Sequence, residues 1–168
     1  MERRLGGSEA NILTTQSNLA ITYESLGRNE EALQMRRDVY SRHLKLYGEQ
    51  SIETLGAAYN YAATLNDLEH FEEAKSLLRK MIPIARRVLG ESHELALMTR
   101  WMYAKVLYSD TGASLDDLRE AVVTLEETSR TARRVLGGAH PTTSTIERHL
   151  QNARAALRAR ETQSSARP

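Results

Sequence analysis

A 42-residue period is the feature of this sequence that most constrains its fold. A glycine follows a large apolar residue at separations of 42, 42 and 47 residues, in Leu5-Gly6, Tyr47-Gly48, Leu89-Gly90 and Leu136-Gly137. A short motif that ends in alanine returns at the same 42-residue spacing, as Asn18-Leu19-Ala20, Asn60-Tyr61-Ala62 and Met102-Tyr103-Ala104. Periods of this length are typical of chains that stack copies of one small unit. The sequence therefore predicts a tandem-repeat protein.

Each period contains two helices. A second alanine motif follows the first in every period, as Glu30-Glu31-Ala32, Glu72-Glu73-Ala74 and Arg119-Glu120-Ala121. Glycine or polar residues separate the two motifs and interrupt apolar residues spaced i, i+3, i+4, which is the helical pattern. The third copy of this motif follows the second after 47 residues because extra residues enter around Ser109 to Ser114. The unit is thus a helix-turn-helix.

This pattern predicts seven helices, near residues 9–26, 29–47, 51–68, 70–89, 93–109, 114–136 and 141–160. They form repeats over about 7–48, 49–90 and 91–137, followed by a capping helix over 140–160 and a disordered tail over 161–168. In the last helix Gln151 replaces the small alanine of the first motif. A polar residue there suits a terminal cap, whose outer face meets water.

Two kinds of recurring small residue have separate roles. The alanines let neighbouring helices come close, while larger residues beside them, such as Tyr61 and Tyr103, fill the remaining space. The glycines between periods are expected to adopt positive φ and to end one repeat before the next begins, at Gly6, Gly48, Gly90 and Gly137. Pro83 lies inside the fourth helix and lacks a backbone N–H, which predicts a kink between Arg79 and Pro83.

Composition narrows the choice of function classes. Charged residues make up 27% of the 168 residues and aromatic residues only 5%, which favours amphipathic helices. The net charge of +1 provides no field for nucleic acid, so we expect no nucleic-acid partner. The chain has no cysteine and no apolar stretch of membrane-spanning length, so we expect no membrane insertion and a cytoplasmic location.

No motif of an enzyme, a metal site or a cofactor site stands out. The histidines lack the spacing of a helical metal pair, at positions 43, 70, 93, 140 and 149. The sequence also has no glycine-rich phosphate loop and no Gly-x-Ser-x-Gly elbow. We therefore expect no catalytic residues, no metal and no cofactor.

The segment from Asn18 to Ala32 resembles the tetratricopeptide repeat (TPR), in the pattern Asn-Leu-Ala-x-x-Tyr-x-x-x-Gly-x-x-x-Glu-Ala. The 42-residue form is similar to kinesin light chain repeats, whose Leu-Gly-x-x-His-Pro junction is matched fully at 136–141 and without its proline at 89–94. This resemblance implies an all-α fold, an α-α superhelix or right-handed TPR solenoid, with about three helix pairs plus a C-terminal capping helix. It also implies an adaptor or scaffold that binds other proteins.

In such a superhelix the first helix of each pair lines the inner groove, so the resemblance nominates partner-binding residues. The groove positions used for the prediction are Asn18, Tyr59, Asn60, Asn66, Trp101, Met102, Lys105, Tyr108, Arg148 and Asn152, with Ser17, Ile21, Glu24, Ala63 and His149 at matching offsets. Asparagine amides can donate to and accept from the backbone of a bound peptide. Lys105 and Arg148 suggest a peptide or helix with acidic segments.

Several alternatives stay open. Trp101, Tyr59 and Tyr108 could pack between repeats rather than contact a ligand. The chain could be a structural subunit docked permanently in a larger complex, or an accessory unit of a larger enzyme, rather than a free adaptor. Neither the partner nor the oligomeric state follows from the sequence.

Overall fold

The computed structural model describes the backbone of residues 2–165 and the side chains of residues 9–163. Over this part the chain forms seven α-helices: α1 (Glu2–Ser25), α2 (Asn29–Tyr47), α3 (Ile52–Asp67), α4 (Phe71–Leu89), α5 (Glu94–Ser109), α6 (Leu115–Val135) and α7 (Pro141–Ser165). Residues 2–165 contain no strand. The prediction of an all-α fold is confirmed, and the bounds of α2 to α6 differ from the predicted ones by at most one residue.

The ends of the helices follow from local chemistry. Gly48, Gly90 and Gly137 have φ of +78°, +83° and +89°, so these glycines end the second helices as predicted. Two junction histidines accept backbone N–H groups at the next helix start, with Nδ1 distances of 3.1 Å for His93 and 3.2 Å for His140. Each repeat therefore closes with glycine and reopens with a side-chain cap.

Successive helices pack side by side, and the first helices of neighbouring pairs also touch, α3 with α5 and α5 with α7. The recurring alanines are fully buried, namely Ala20, Ala32, Ala62, Ala74, Ala104 and Ala121. Leucines such as Leu65 and Leu107 fill the space beside them and are also fully buried. The small-beside-large packing expected from the period is thus present, and one core runs through the second and third pairs into α7.

Helix α7 has two unlike sides. Thr143, Ile146 and Ala153 are fully buried against α5 and α6, while Gln151 and Arg154 are exposed. Gln151 takes the place that buried alanine holds in α3 and α5, and over residues 2–165 no eighth helix covers it. A polar residue at this position therefore costs no buried hydrogen bond.

Three details differ from the expectations or remain open. Helix α1 begins at Glu2 and continues through Gly6, so this glycine does not end a helix as its three counterparts do. Helix α7 continues to Ser165, so the predicted disordered tail is wrong over 161–165, while 166–168 lie outside the described residues. Helix α4 runs without a break through Pro83, and the kink there stays a prediction.

Glu69 occupies a strained backbone position. Its φ of +61° lies in the left-handed region, where the equivalent residue of the first repeat, 42 positions earlier, is Gly27 with φ +72°. A non-glycine residue in this region costs about 1–2 kcal/mol. The turn of the second repeat therefore has the same left-handed backbone geometry as the turn of the first repeat, but it lacks the glycine that favours this geometry.

We expect Glu69→Gly to raise the free energy of unfolding by about 0.5–1 kcal/mol, because the relief of backbone strain exceeds the extra chain entropy that glycine loses on folding. Urea denaturation monitored by circular dichroism measures this change. The matched control is Gly27→Ala, which imposes the same strain and should lower the unfolding free energy by about 1 kcal/mol. A loss of stability in Glu69→Gly would contradict the assignment of strain.

Candidate partner-binding surfaces

The predicted groove residues lie on α1, α3, α5 and α7, and we call the side that they define the odd-helix face. Four of them are exposed: Asn18, Asn60, Arg148 and Asn152. Three more are half-buried: Tyr59, Lys105 and Tyr108. The remaining three are buried, with exposed fractions of 6% for Asn66, 9% for Trp101 and 3% for Met102. The face therefore presents polar groups above a packed layer.

Met102 and Asn66 are wrong as groove residues. Met102 belongs to the main hydrophobic core, because the position that holds exposed Asn18 and Asn60 in the first two repeats is apolar in the third. Asn66 donates from its amide to Asp67 Oδ1 at 3.0 Å, and its own Oδ1 is buried without a partner in residues 9–163. Neither side chain is accessible to a bound peptide.

Trp101 is the centre of an aromatic cluster that joins three helices. Its ring stacks on His149 of α7 at 4.7 Å between centroids with an interplanar angle of 16°, and meets Tyr59 of α3 edge-on at 6.4 Å. The Tyr108 hydroxyl is hydrogen-bonded to His149 Nδ1. Trp101 thus packs between repeats, the alternative that the sequence left open, and only the rim of the cluster is accessible.

Burial controls the protonation of this cluster. Burial, followed by the positive charges of Lys105 and Arg148, lowers the pKa of His149 to about 4. Burial, together with the negative charge of Asp67, raises the pKa of Tyr59 to about 12. Both groups are therefore neutral at pH 7, and neutral rings can pack against Trp101 without the cost of a buried charge.

We expect the emission of Trp101, the only tryptophan, to stay constant from pH 8 to about pH 5 and to change with a midpoint near 4. An imidazole in the unfolded chain titrates near 6.5, so the unfolded state binds more protons between these two values. The stability that neutral His149 contributes is complete above pH 6.5 and declines as the pH falls towards 4.

A fluorescence titration with helicity followed in parallel measures this midpoint. His149→Gln serves as the control, because it retains a polar side chain but cannot titrate. The transition should be absent in this variant until helicity is lost. A midpoint near 6.5 in the unchanged chain would contradict the burial of the imidazole.

Glu24 has a structural role instead of facing the groove freely. Its carboxylate accepts hydrogen bonds from Arg36 Nε at 3.2 Å and Nη2 at 3.1 Å, and from the Thr64 hydroxyl at 2.8 Å. Arg36 is only 6% exposed, so its charge needs this partner. The group ties α1 and α2 to α3. Glu24 was expected among the inner-face positions, and its carboxylate there is already engaged by Arg36 and Thr64.

The cations of the odd-helix face differ in their availability. Lys105 Nζ lies 3.2 Å from Asp67 Oδ1, so its charge is already paired with the neighbouring repeat. Arg148 is exposed and has no ion-pair partner among residues 9–163. Arg148 is therefore the more available of the two for an acidic group of a partner.

A recurring set of three polar residues, an arginine, a tyrosine and a glutamate, links the repeats. The sequence predicted the packing of the tyrosine but not its hydrogen bonds. Tyr61, expected only to fill space, accepts a hydrogen bond from Arg37 Nε at 3.0 Å and donates its hydroxyl to Glu73. In the next repeat Tyr103 accepts from Arg79 at 2.8 Å and donates to Glu120 at 2.8 Å. The signal was present in the sequence, because the members of both sets recur at separations of 42, 42 and 47 residues.

The two tyrosines anchor neighbouring repeats to each other. In each set the arginine belongs to one repeat, while the tyrosine and the glutamate belong to the next. Burial is the main cause that raises the pKa of Tyr61 and of Tyr103, and the adjacent carboxylates act in the same direction. Both hydroxyls therefore stay protonated at pH 7 and remain hydrogen-bond donors.

We expect Tyr61→Phe and Tyr103→Phe each to lower the unfolding free energy by about 1 kcal/mol, the net contribution of a hydrogen bond whose partners can still reach water. Urea denaturation measures this loss. Tyr47→Phe is the matched control, because Tyr47 is exposed and its hydroxyl has no hydrogen-bond partner among residues 9–163. Losses equal to that of the control would show that the hydroxyls do not link the repeats.

Comparisons with known proteins agree with this geometry. Residues 11–86 match the family model of the tetratricopeptide repeat. This part of the chain is therefore similar to tetratricopeptide repeats. Repeats of this family are in general protein-interaction modules. No curated protein matches the chain in a sequence search.

Solved structures extend the likeness to most of the chain. The chain is similar to the nearly identical TPR-like repeats of a Podosopora anserina protein assigned to the kinesin light chains, with 22% identity and a TM-score of 0.76 over 86% of this chain and 66% of that chain. A point variant of the same repeats gives 22% identity and a TM-score of 0.72, over 91% of this chain and 70% of that chain. BtubC (BKLC) from P. vanneervenii is 19% identical to this chain, with a TM-score of 0.66 over 93% of this chain and 66% of that chain.

At these identities the likeness concerns the fold. The helix pairs of this chain are arranged as in kinesin light chain-like TPR proteins, in an all-α superhelix. The chain spans 66% of the first of these proteins. Among residues 2–165, no helix is both long and apolar enough to cross a membrane.

Proposed function

We propose that this TPR domain is a non-catalytic, cytoplasmic interaction module of the adaptor or scaffold type, which binds an extended or helical segment of a partner protein on the odd-helix face. One observation carries the proposal. Asn18 and Asn60 occupy the same position of successive repeats, both are exposed, and neither side-chain amide has a hydrogen-bond partner among residues 9–163. Amides in this state can bond to the backbone of a bound segment with little dependence on its sequence.

The other accessible groups support the same face. Arg148 and Asn152 continue it on α7, and the rim of the Trp101 cluster lies beside them through Tyr108 and His149. A segment that runs from Asn18 towards Arg148 would meet polar groups first and a cation last. An acidic group near one end of the segment would complement Arg148.

A second candidate function, a subunit docked in a larger assembly, is favoured by the surface of α1. Ile12 and Leu19 are exposed, whereas the residues 42 positions later, Thr54 and Tyr61, are buried between repeats. Among residues 9–163, the side of α1 that corresponds to a repeat junction is therefore exposed and partly apolar. Such a surface suits permanent contact with another protein.

We expect the double variant Asn18→Ala and Asn60→Ala to bind a partner captured from cell extract about tenfold more weakly, because both main-chain contacts are lost. Quantitative mass spectrometry of the captured proteins identifies the partner, and calorimetry measures its affinity. The matched control is Asn11→Ala, which alters an exposed asparagine on α1 outside this position.

The same measurement separates the two candidates. If Ile12→Ser with Leu19→Ser abolishes capture while the asparagine variant binds normally, the chain docks through α1 and the odd-helix proposal fails. Circular dichroism checks that every variant remains helical. We expect no loss of helicity, because all of the substituted positions are exposed.

A further inference from the structure

A second surface, apart from the odd-helix face, concentrates positive charge. An open cleft of about 730 Å³ lies between α4, the start of α5 and the end of α6. Its charged lining consists of Arg86, Arg100, Arg130 and Arg134 with Glu91 and Glu127. Four positive and two negative charges leave the cleft at +2, although the whole chain carries only +1. The cleft is therefore an electropositive site on an otherwise balanced protein.

The carboxylates of the cleft hold two of its arginines in place. Arg86 Nε lies 2.6 Å from Glu91 Oε1, and Arg100 Nη2 lies 2.9 Å from Glu127 Oε2. Among residues 9–163, Arg130 bonds only to a backbone oxygen, because its Nε donates to the Glu126 carbonyl at 3.4 Å. Within residues 9–163, Arg130 and Arg134 have no carboxylate partner. Two guanidinium groups are thus positioned by the protein, and two remain available to an anion.

The repeat provides an internal comparison, because the preceding junction between α2, α3 and α4 has the same place in the fold. There the enclosed space is only about 10 Å³. Tyr40 stands at the position of Ile82, Ala58 at that of Arg100, and Pro83 at that of Arg130, with offsets of 42, 42 and 47 residues. The large side chain of Tyr40 lines the first junction, whereas the smaller Ile82 leaves room in the second.

The charged residues of the two junctions also differ. In the junction between α2, α3 and α4, which we call the filled junction, Glu49 Oε2 lies 3.8 Å from Lys80 Nζ. The equivalent positions in the open cleft are Glu91 and Glu127, which cannot pair with each other and instead pair with arginines. The open cleft therefore differs from the preceding junction in both its volume and its charged residues.

We propose that this cleft binds an acidic segment of a partner protein, with two carboxylates of the segment on Arg130 and Arg134. The planar guanidinium group matches a carboxylate in two parallel hydrogen bonds. A volume of about 730 Å³ is of the size that a few side chains fill, and Ile82 supplies an apolar contact for their methylene groups. The net charge of the whole chain is only +1, which provides little of the long-range attraction that nucleic-acid binding needs, so a short acidic segment is favoured over nucleic acid as the occupant.

Fluorescence anisotropy with a labelled hexaglutamate peptide and the full chain tests the proposal. We expect Arg130→Gln with Arg134→Gln to weaken binding about tenfold or more, because both carboxylate contacts are lost. The matched control is Arg42→Gln with Arg158→Gln, which removes two exposed arginines elsewhere and lowers the net charge equally. Its affinity should stay within about twofold of the original, since the remaining effect is long-range and screened.

A second variant tests the shape of the cleft separately from its charge. Ile82→Tyr gives the open cleft the tyrosine that the filled junction has as Tyr40. We expect this variant to bind the peptide more weakly, although all four arginines of the cleft remain. Tyr40 already occupies the equivalent position, so the substitution is compatible with the fold.

Three outcomes overturn the proposal. The first is equal weakening by the cleft variant and its control, which would mean general charge attraction only. The second is loss of binding in Arg148→Gln with no loss in the cleft variant, which would move the acidic segment to the odd-helix face and leave the proposed function of that face standing. The third is tighter binding of a hexanucleotide RNA than of hexaglutamate through Arg130 and Arg134.

Discussion

The close approach of helices at fully buried alanines is the constraint on which the rest of this structure depends. Ala20, Ala62 and Ala104 in the first helices and their counterparts in the second helices have no exposed surface. A larger side chain at such a site would push two helices apart and shift every later repeat, because the helices pack only against near neighbours. The 42-residue spacing of alanine therefore sets the geometry that all other contacts inherit.

Once the helices are held at this spacing, polar residues on their flanks meet in a repeating way. The arginine, tyrosine and glutamate of one junction recur at the next, with hydroxyl distances of 3.0 Å to Arg37 and 2.8 Å to Arg79. These links lie partly in water, so each contributes modestly to stability. Because these links recur, each junction has directional hydrogen bonds in addition to the packing of alanine and leucine, which depends on shape alone.

The two candidate binding surfaces arise from departures from this regularity. On the odd-helix face, α3 and α5 share the same backbone placement, yet Asn60 is exposed and Met102 is in the core. At the junctions, Tyr40 fills one gap and Ile82 leaves the next open. The repeat thus serves as scaffold, and single positions within it decide where another molecule can bind.

The sequence alone determined the helices, their pairing and the positions of the buried alanines, because period and apolar spacing act locally and are written directly in the order of residues. Glycine at 48, 90 and 137 also ended its helices as local chemistry predicts. The sequence did not determine which groove candidates stay accessible. The exposure of Trp101 depends on His149, 48 positions away, and the state of Glu24 depends on Arg36 and Thr64 on two other helices. Only the tertiary structure decided these states, since burial and ion pairing depend on distances between residues that the order of the chain does not contain.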